Sequence, residues 1–382
     1  MIDRTFCFLE RDEDLRAWVA EHADSLDGAV IALDIEEDRE RGYAPLVALI
    51  QVTIDDHDVI FDPLRLSKPA LCEAIELVCL LPDAVVIHGS HNDVTGLKRD
   101  FGVGPKRLID TQVAARFLGE RAFGLAPLLA SRLNIVHDKS VRRSDWTARP
   151  LGEEQLRYAR ADTSNLLDLW YDLEADLEES GWLDDFDDEC AALNADQPEP
   201  QRLDPWGWRN LKGLGQLDQA AAQRLAALWG WRDRVGRERN LHVTRVLPPW
   251  ALILLAERGS SALTRRRSSG LDPAIFDAEH EGLALLLDNP PELPPPTPTP
   301  PRSAGQGRSE SERRLELLLQ WRNETAEATG LEPGFLASRT VLLDVARLLD
   351  PSPANIAAVA DVRRWRADRY GQIWSDLMRR VG

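Results

Sequence analysis

Ala29-Val-Ile-Ala-Leu-Asp-Ile-Glu36 is apolar and β-prone until it ends in acid. Successive side chains of a strand alternate faces, so Asp34 and Glu36, two apart, point the same way. A second stretch, Arg157-Tyr-Ala-Arg-Ala-Asp162, lies in an amphipathic helical pattern. The spacing there is four, which puts Tyr158 and Asp162 on one helix face. Asp93 falls between the two stretches, just after the apolar run Ala84-Val-Val-Ile-His88. Acids brought to one point repel unless something cationic sits among them. A divalent metal with oxygen ligands suits Asp34, Glu36, Asp93 and Asp162.

Working outward, a helix is expected over 11–27, leading into the Asp34 strand, and a polar loop over 37–45. Strands are expected at 46–54 and 58–61, separated by the turn Asp55-Asp-His-Asp58. A helix over 69–80, a strand over 84–88, a short helix into Arg99 and a strand over 108–110 follow. Asp110-Thr111 opens a helix to about 118. Further helices are read at 124–133 and 153–177, the last a long one carrying Tyr158 and Asp162. Strands interleaved with helices indicate an α/β domain.

The chain has 382 residues, more than one core accommodates, so two or three domains are expected. Residues 1–180 form the α/β part. Residues 181–215 read as an acidic linker, because acid is concentrated from Leu173 to Glu199 and ends in Gln197-Pro-Glu-Pro200. Residues 216–288 are a first helical set, with helices at 220–241, 248–258, 262–267 and 273–287. The tract Asn289 to Pro301 makes 289–309 an extended proline-rich linker. Residues 310–382 are a second helical set, at 311–329, 338–349, 353–358 and 362–380. Both sets carry a Trp-Arg pair late in the first helix, a loose internal repeat whose tryptophans read as core.

The net charge of −18 argues against broad electrostatic attraction to nucleic acid. Basic clusters nevertheless occur at Lys139 with Arg142 and Arg143, at 232–245, and at Arg265 to Arg267. The four cysteines form no CxxC pair, which fits a reducing compartment without a disulfide framework. No charged-then-apolar signal opens the chain, and no apolar run approaches the ~18 residues of a membrane span. The expectation is a soluble, cytoplasmic protein with no membrane partner.

The acids suit one chemistry in particular. Phosphodiester hydrolysis with two divalent metals, about 4 Å apart, needs hard carboxylate ligands and a group that orients the attacking water. Asp34, Glu36 and Asp162 can serve one metal; Asp34 with Asp93 can reach the second. The Tyr158 hydroxyl, one turn from Asp162, suits alignment of the nucleophile. It keeps its proton near neutral pH, so positioning is expected more than proton abstraction.

These residues carry a family resemblance. Leu33-Asp-Ile-Glu36, Ile87-His-Gly-Ser-His-Asn-Asp93 and the stretch Ser144 to Asp162 resemble the three motifs of the DEDD superfamily of 3′→5′ exonucleases. Within it the sequence is similar to the ribonuclease D family of the tyrosine branch. The histidine branch needs His at position 157, which is Arg. The two helical sets resemble paired HRDC domains. The resemblance implies an α/β, RNase H-like exonuclease domain with a mixed sheet and flanking helices, followed by two small all-α HRDC-like domains. It implies a 3′→5′ exoribonuclease with two Mg²⁺ or Mn²⁺ ions, releasing 5′-monophosphates. Its partner would be RNA with a free 3′ end, transfer RNA precursors above all. Single-stranded DNA as the substrate, or a non-catalytic nucleic-acid-binding scaffold, are the rival readings. One departure is Glu37-Asp38, where the family often carries an aromatic; it adds negative charge beside the site.

Other residues are weighed as substrate contacts. Lys139, Arg142 and Arg143 suit phosphate. Gln51 and His88 are further candidates, with strand hydrogen bonding and packing as the plainer readings. For His91 the plainer reading is an ordinary loop histidine. Asp110 reads as a helix cap, and Asp145 and Trp146 as a frame for the last helix.

Overall fold

In the computed structural model the described residues are 5–138, 140–141, 144–199, 202–215, 217–264, 269–292 and 309–381. The first strand, β1 (Thr5–Leu9), precedes α1 (Asp12–Leu26). Next come β2 (Val30–Asp38), β3 (Leu46–Ile54) and β4 (His57–Phe61). α2 (Lys68–Leu80), β5 (Ala84–Ile87), α3 (His91–Phe101), β6 (Leu108–Asp110) and α4 (Thr111–Phe117) follow. The six strands form one mixed sheet in the order β1-β4-β3-β2-β5-β6, with β3 antiparallel to β4 and β2 parallel to β5. β1 had no sequence forecast; it is a short edge strand held by parallel pairing to β4.

Alternation in β2 sorts its side chains as expected. Ile31, Leu33 and Ile35 join the core beneath α1 and α2, where Trp18, Leu71 and Ile75 pack. Ala32 faces the other core, and Asp34 and Glu36, at the same parity, share its face. On that side lie α5 (Leu125–Leu133), α6 (Glu153–Thr163), α7 (Leu166–Ser180) and α8 (Leu183–Ala195).

The structure corrects two expectations here. The single helix expected over 153–177 is two helices, α6 and α7. The Ser164 hydroxyl donates to the Arg160 carbonyl (2.5 Å) and to Asp58 of β4 (3.2 Å), so a tertiary contact sits at the break. Within the acidic linker expected over 181–215, Leu183–Ala195 forms α8. Phe186 and Cys190 bury on one face of α8, and its acids meet arginines from the end of the chain.

Two compact units emerge. One comprises Met1–Glu36, Val47–Pro198 and Ser303–Gly382; the other comprises Glu37–Leu46 and Glu199–Arg302. In the second unit α9 (Gln219–Arg239), α10 (Val243–Val246), α11 (Pro249–Arg258) and α12 (Pro273–Asp288) enclose Leu225, Leu228, Val235, Leu252 and Leu255. The helix expected at 262–267 is represented by a 3₁₀ segment, Gly259–Thr264; residues 265–267 lie outside the described residues. The loop after β2 belongs to this unit. The Tyr43 hydroxyl donates to Asp233 (2.7 Å), and the His242 amide donates to the Arg41 carbonyl (2.8 Å).

The last helices belong to the first unit. They are α13 (Glu310–Thr329), α14 (Pro333–Leu336), α15 (Arg339–Ala346), α16 (Pro353–Ala357) and α17 (Arg364–Arg379). Leu318, Leu342, Trp365 and Trp374 share one continuous core with Phe117, Trp170 and Phe186. Phe117 meets Phe335 and Trp365 edge-on, with ring centroids 4.8 and 5.1 Å away. The paired tryptophans, Trp231 and Trp321, are buried as core.

Candidate active site

β2 and α6, far apart in sequence, supply the two halves of the site. One carboxylate oxygen from each of Asp34, Glu36 and Asp162 lies within 4.8 Å of the other two. α6 is held in place by a buried network at its C-terminal end. Asp58 on β4 accepts from the Thr53 hydroxyl (2.9 Å) and Arg160 Nε (3.1 Å). Thr53 also bonds the Thr163 hydroxyl at 2.8 Å, next to Asp162. Upstream, Arg149 forms a two-pronged pair with buried Asp62, at 2.5 and 2.8 Å, and donates to the Ala48 carbonyl. The Arg-Pro-Leu flank thus ties the segment before α6 to β3 and β4.

Asp93, in the first turn of α3, accepts the Ile35 amide at 3.1 Å. Ile35 lies between Asp34 and Glu36, so Asp93 is brought to the acidic end of β2, although it is not one of the three mutually close carboxylates. Tyr158 is buried against Trp146 and His137, with ring centroids 6.0 and 5.5 Å apart.

The remaining candidates separate clearly. Gln51 is 1% exposed, and neither amide atom has a hydrogen-bond partner among the described residues. By strand alternation it shares a face with Leu49, which packs with Tyr158, and with Thr53. His88 Nδ1 lies 3.0 Å from the Thr111 hydroxyl, a structural contact. Asp110 caps α4 and also accepts the Gly89 and Ser90 amides, at 2.9 and 2.8 Å, shaping the turn into α3. His91 lies 3.6 Å from Asp196. Asp145 accepts the Thr147 amide, and its carbonyl receives the Gln155 side chain, so this segment frames α6. Lys139, Arg142 and Arg143 lie outside the described residues.

Two charge expectations are resolved by pairing. Glu37 is bound by Arg39 (2.5 Å) and Asp38 by Arg41 (3.5 Å), so the extra acids are locally compensated. Along α9 the arginines of the basic run at 232–245 are engaged within their own unit. Arg232 is buried over Trp229, Arg234 pairs with Glu238 and Glu279, and Arg237 pairs with Asp233. His137, which no motif marks, was missed: its Nε2 lies 3.1 Å from Asp162 Oδ1.

A 3′-5′ exonuclease family model matches residues 7–178, and an HRDC domain model matches 311–377. Ribonuclease D of Cronobacter turicensis is 32% identical over 322 residues, covering 81% of this chain and 83% of the relative. Ribonuclease D of Escherichia coli is 33% identical over 268 residues, covering 69% of this chain and 70% of the relative. The fold also matches the crystal structure of Escherichia coli RNase D, with a TM-score of 0.70 at 24% identity, over 98% of this chain and 99% of that one. A mixed sheet with flanking helices, carboxylates gathered where β2 meets α6, and relatives aligned along most of the chain agree: this chain belongs to the ribonuclease D family of 3′→5′ exoribonucleases.

Proposed function

We propose that Asp34, Glu36, Asp93 and Asp162 hold two divalent cations, Mg²⁺ or Mn²⁺, and that Tyr158 aligns the water that attacks the last phosphodiester of an RNA 3′ end. One observation carries the reading: three carboxylates from β2 and α6 have oxygens within 4.8 Å of one another. Ionised carboxylates so close repel, and their partial burial strengthens that repulsion, so the cluster suits a cation of hard, oxygen-preferring type. Such ions would supply charge neutralisation at the phosphate and a more acidic attacking water. The chain's own part is placement. Asp93 braces the strand between Asp34 and Glu36 through the Ile35 amide. Tyr158, packed by Trp146 and His137, offers its hydroxyl as a hydrogen-bonding group.

Structured RNA, with transfer RNA precursors foremost, is the proposed substrate. Escherichia coli RNase D, whose fold this chain shares, is described as an exoribonuclease involved in structured RNA processing. The proposed division is an exonuclease domain over 1–180 and HRDC-like domains over 216–288 and 310–382, acting on that RNA. Action in the cytoplasm belongs to the same proposal, and the four cysteines are free thiols, as a reducing compartment keeps them. Among the described residues no helix is long and apolar enough to cross a membrane.

The test is degradation of RNA labelled at its 5′ end, beside a DNA strand of matched sequence. Shortening from the 3′ end should require Mg²⁺ or Mn²⁺, stop in EDTA and stop in Asp34→Asn. Activity that survives EDTA would end the metal reading, and preferential degradation of the DNA would replace RNA as substrate.

A further inference from the structure

His137 stands in the segment between α5 and α6, where its neighbour and its own side chain reverse the ordinary rule of burial. Val136 is 94% exposed, whereas the His137 side chain is 3% exposed. An apolar residue is turned to solvent while an imidazole is turned inward, the opposite of what transfer energies favour. The buried imidazole meets the two functional groups of α6 together. Its Nε2 lies 3.1 Å from Asp162 Oδ1, and its ring centroid lies 5.5 Å from that of Tyr158. His137 is not a member of the group of mutually close ligand atoms formed by Asp34, Glu36 and Asp162.

We infer that His137 is a positioning residue: it donates its Nε2–H to Asp162 Oδ1 and fixes the carboxylate toward Asp34 and Glu36, while its ring backs Tyr158. An ionised carboxylate only accepts hydrogen bonds, so the proton of this contact lies on the imidazole. The bond occupies one lone pair of Oδ1 and stops rotation about the Cβ–Cγ bond, leaving the other lone pairs for a cation. Because the pair is nearly dry, little water competes for the contact. An outer partner of this kind orients a ligand without touching the ion.

This inference rests on Asp162 being a metal ligand, and the experiment keeps the two apart. Full-length wild type, His137→Leu and His137→Gln are titrated with Mn²⁺ by calorimetry, and nitrogen coupling to bound Mn²⁺ is sought by electron spin echo. The Leu variant should bind Mn²⁺ about 10-fold more weakly. The Gln variant, whose side-chain amide still donates, should recover most of that loss. Wild-type affinity in the Leu variant would overturn the inference. So would nitrogen coupling in the wild type that vanishes in either variant, since the imidazole would then be a ligand itself. If the Leu variant does not fold, His137→Ala, which removes the donor without adding an apolar bulk, takes its place in the same titration, and wild-type affinity there overturns the inference equally. Asp34→Asn, titrated alongside, addresses the site: if it binds Mn²⁺ as the wild type does, the metal reading fails rather than the role of His137.

Discussion

At the scale of single residues, Tyr158 and Gln51 make opposite demands on the same face of the sheet. Tyr158 has its ring locked between Trp146 and His137, so removing only its hydroxyl leaves the packing intact. Tyr158→Phe should lower turnover by about 10²-fold, the order seen when one positioned hydrogen-bonding group is lost, with Mn²⁺ affinity unchanged. Single-turnover rates beside calorimetry decide this; an unchanged rate removes the hydroxyl from the chemistry. Gln51 buries an amide that finds no partner among the described residues. Leaving a polar group so costs about 1–3 kcal/mol, and an apolar isostere avoids the cost. Gln51→Leu should therefore equal or exceed the wild type in urea midpoint while binding RNA more weakly. A clear drop in midpoint would show that the amide is satisfied within the protein.

Among the elements, α6 matters most, because two functional groups ride on it and neither comes from the sheet. Its position depends on Asp58, with Thr53 and Arg160, and on the Arg149–Asp62 pair in the segment before it. Asp62 is fully buried and Arg149 nearly so, which makes the pair costly to break. Asp62→Ala leaves a guanidinium without its counter-charge and should destabilise by about 3–5 kcal/mol, read from the urea midpoint. Loss of less than about 1 kcal/mol would mean that water reaches Arg149 after all. Asp58→Asn keeps the shape but not the charge. It should slow turnover more than it weakens folding, because it loosens the end of α6 beside Asp162.

Across the whole molecule, the first unit joins segments that the proline-rich tract keeps far apart in sequence. Trp365 donates its indole N–H to Glu189 (2.6 Å), and Arg366 pairs with the same carboxylate (3.1 Å). The arginine has two backbone carbonyls as well, those of Phe335 and Leu336. Trp365→Ala removes a fully enclosed ring from the shared core and leaves Glu189 without its indole donor. A cost of about 3–5 kcal/mol is expected. In calorimetry the sheet domain and the last helices should shift together. A separate low-temperature transition confined to the last helices would show that they unfold alone.

Read alone, the sequence determined the local grammar. Alternation in β2 put Asp34 and Glu36 on one face, and a spacing of four put Tyr158 and Asp162 on another, because the periods of strand and helix are properties of the backbone. The motifs added Asp93, and the proline-rich tract divided two helical sets. Tertiary structure alone decided what depends on partners distant in the chain. The acids of α8 read as a linker until arginines of α17 are placed against them. The break between α6 and α7 sits where Ser164 reaches Asp58, more than a hundred residues away. His137 carries no signal of its own, since a lone histidine in a loop gains meaning only when its Nε2 is found beside Asp162. Periodicity is short-ranged, and charge pairing across the fold is not.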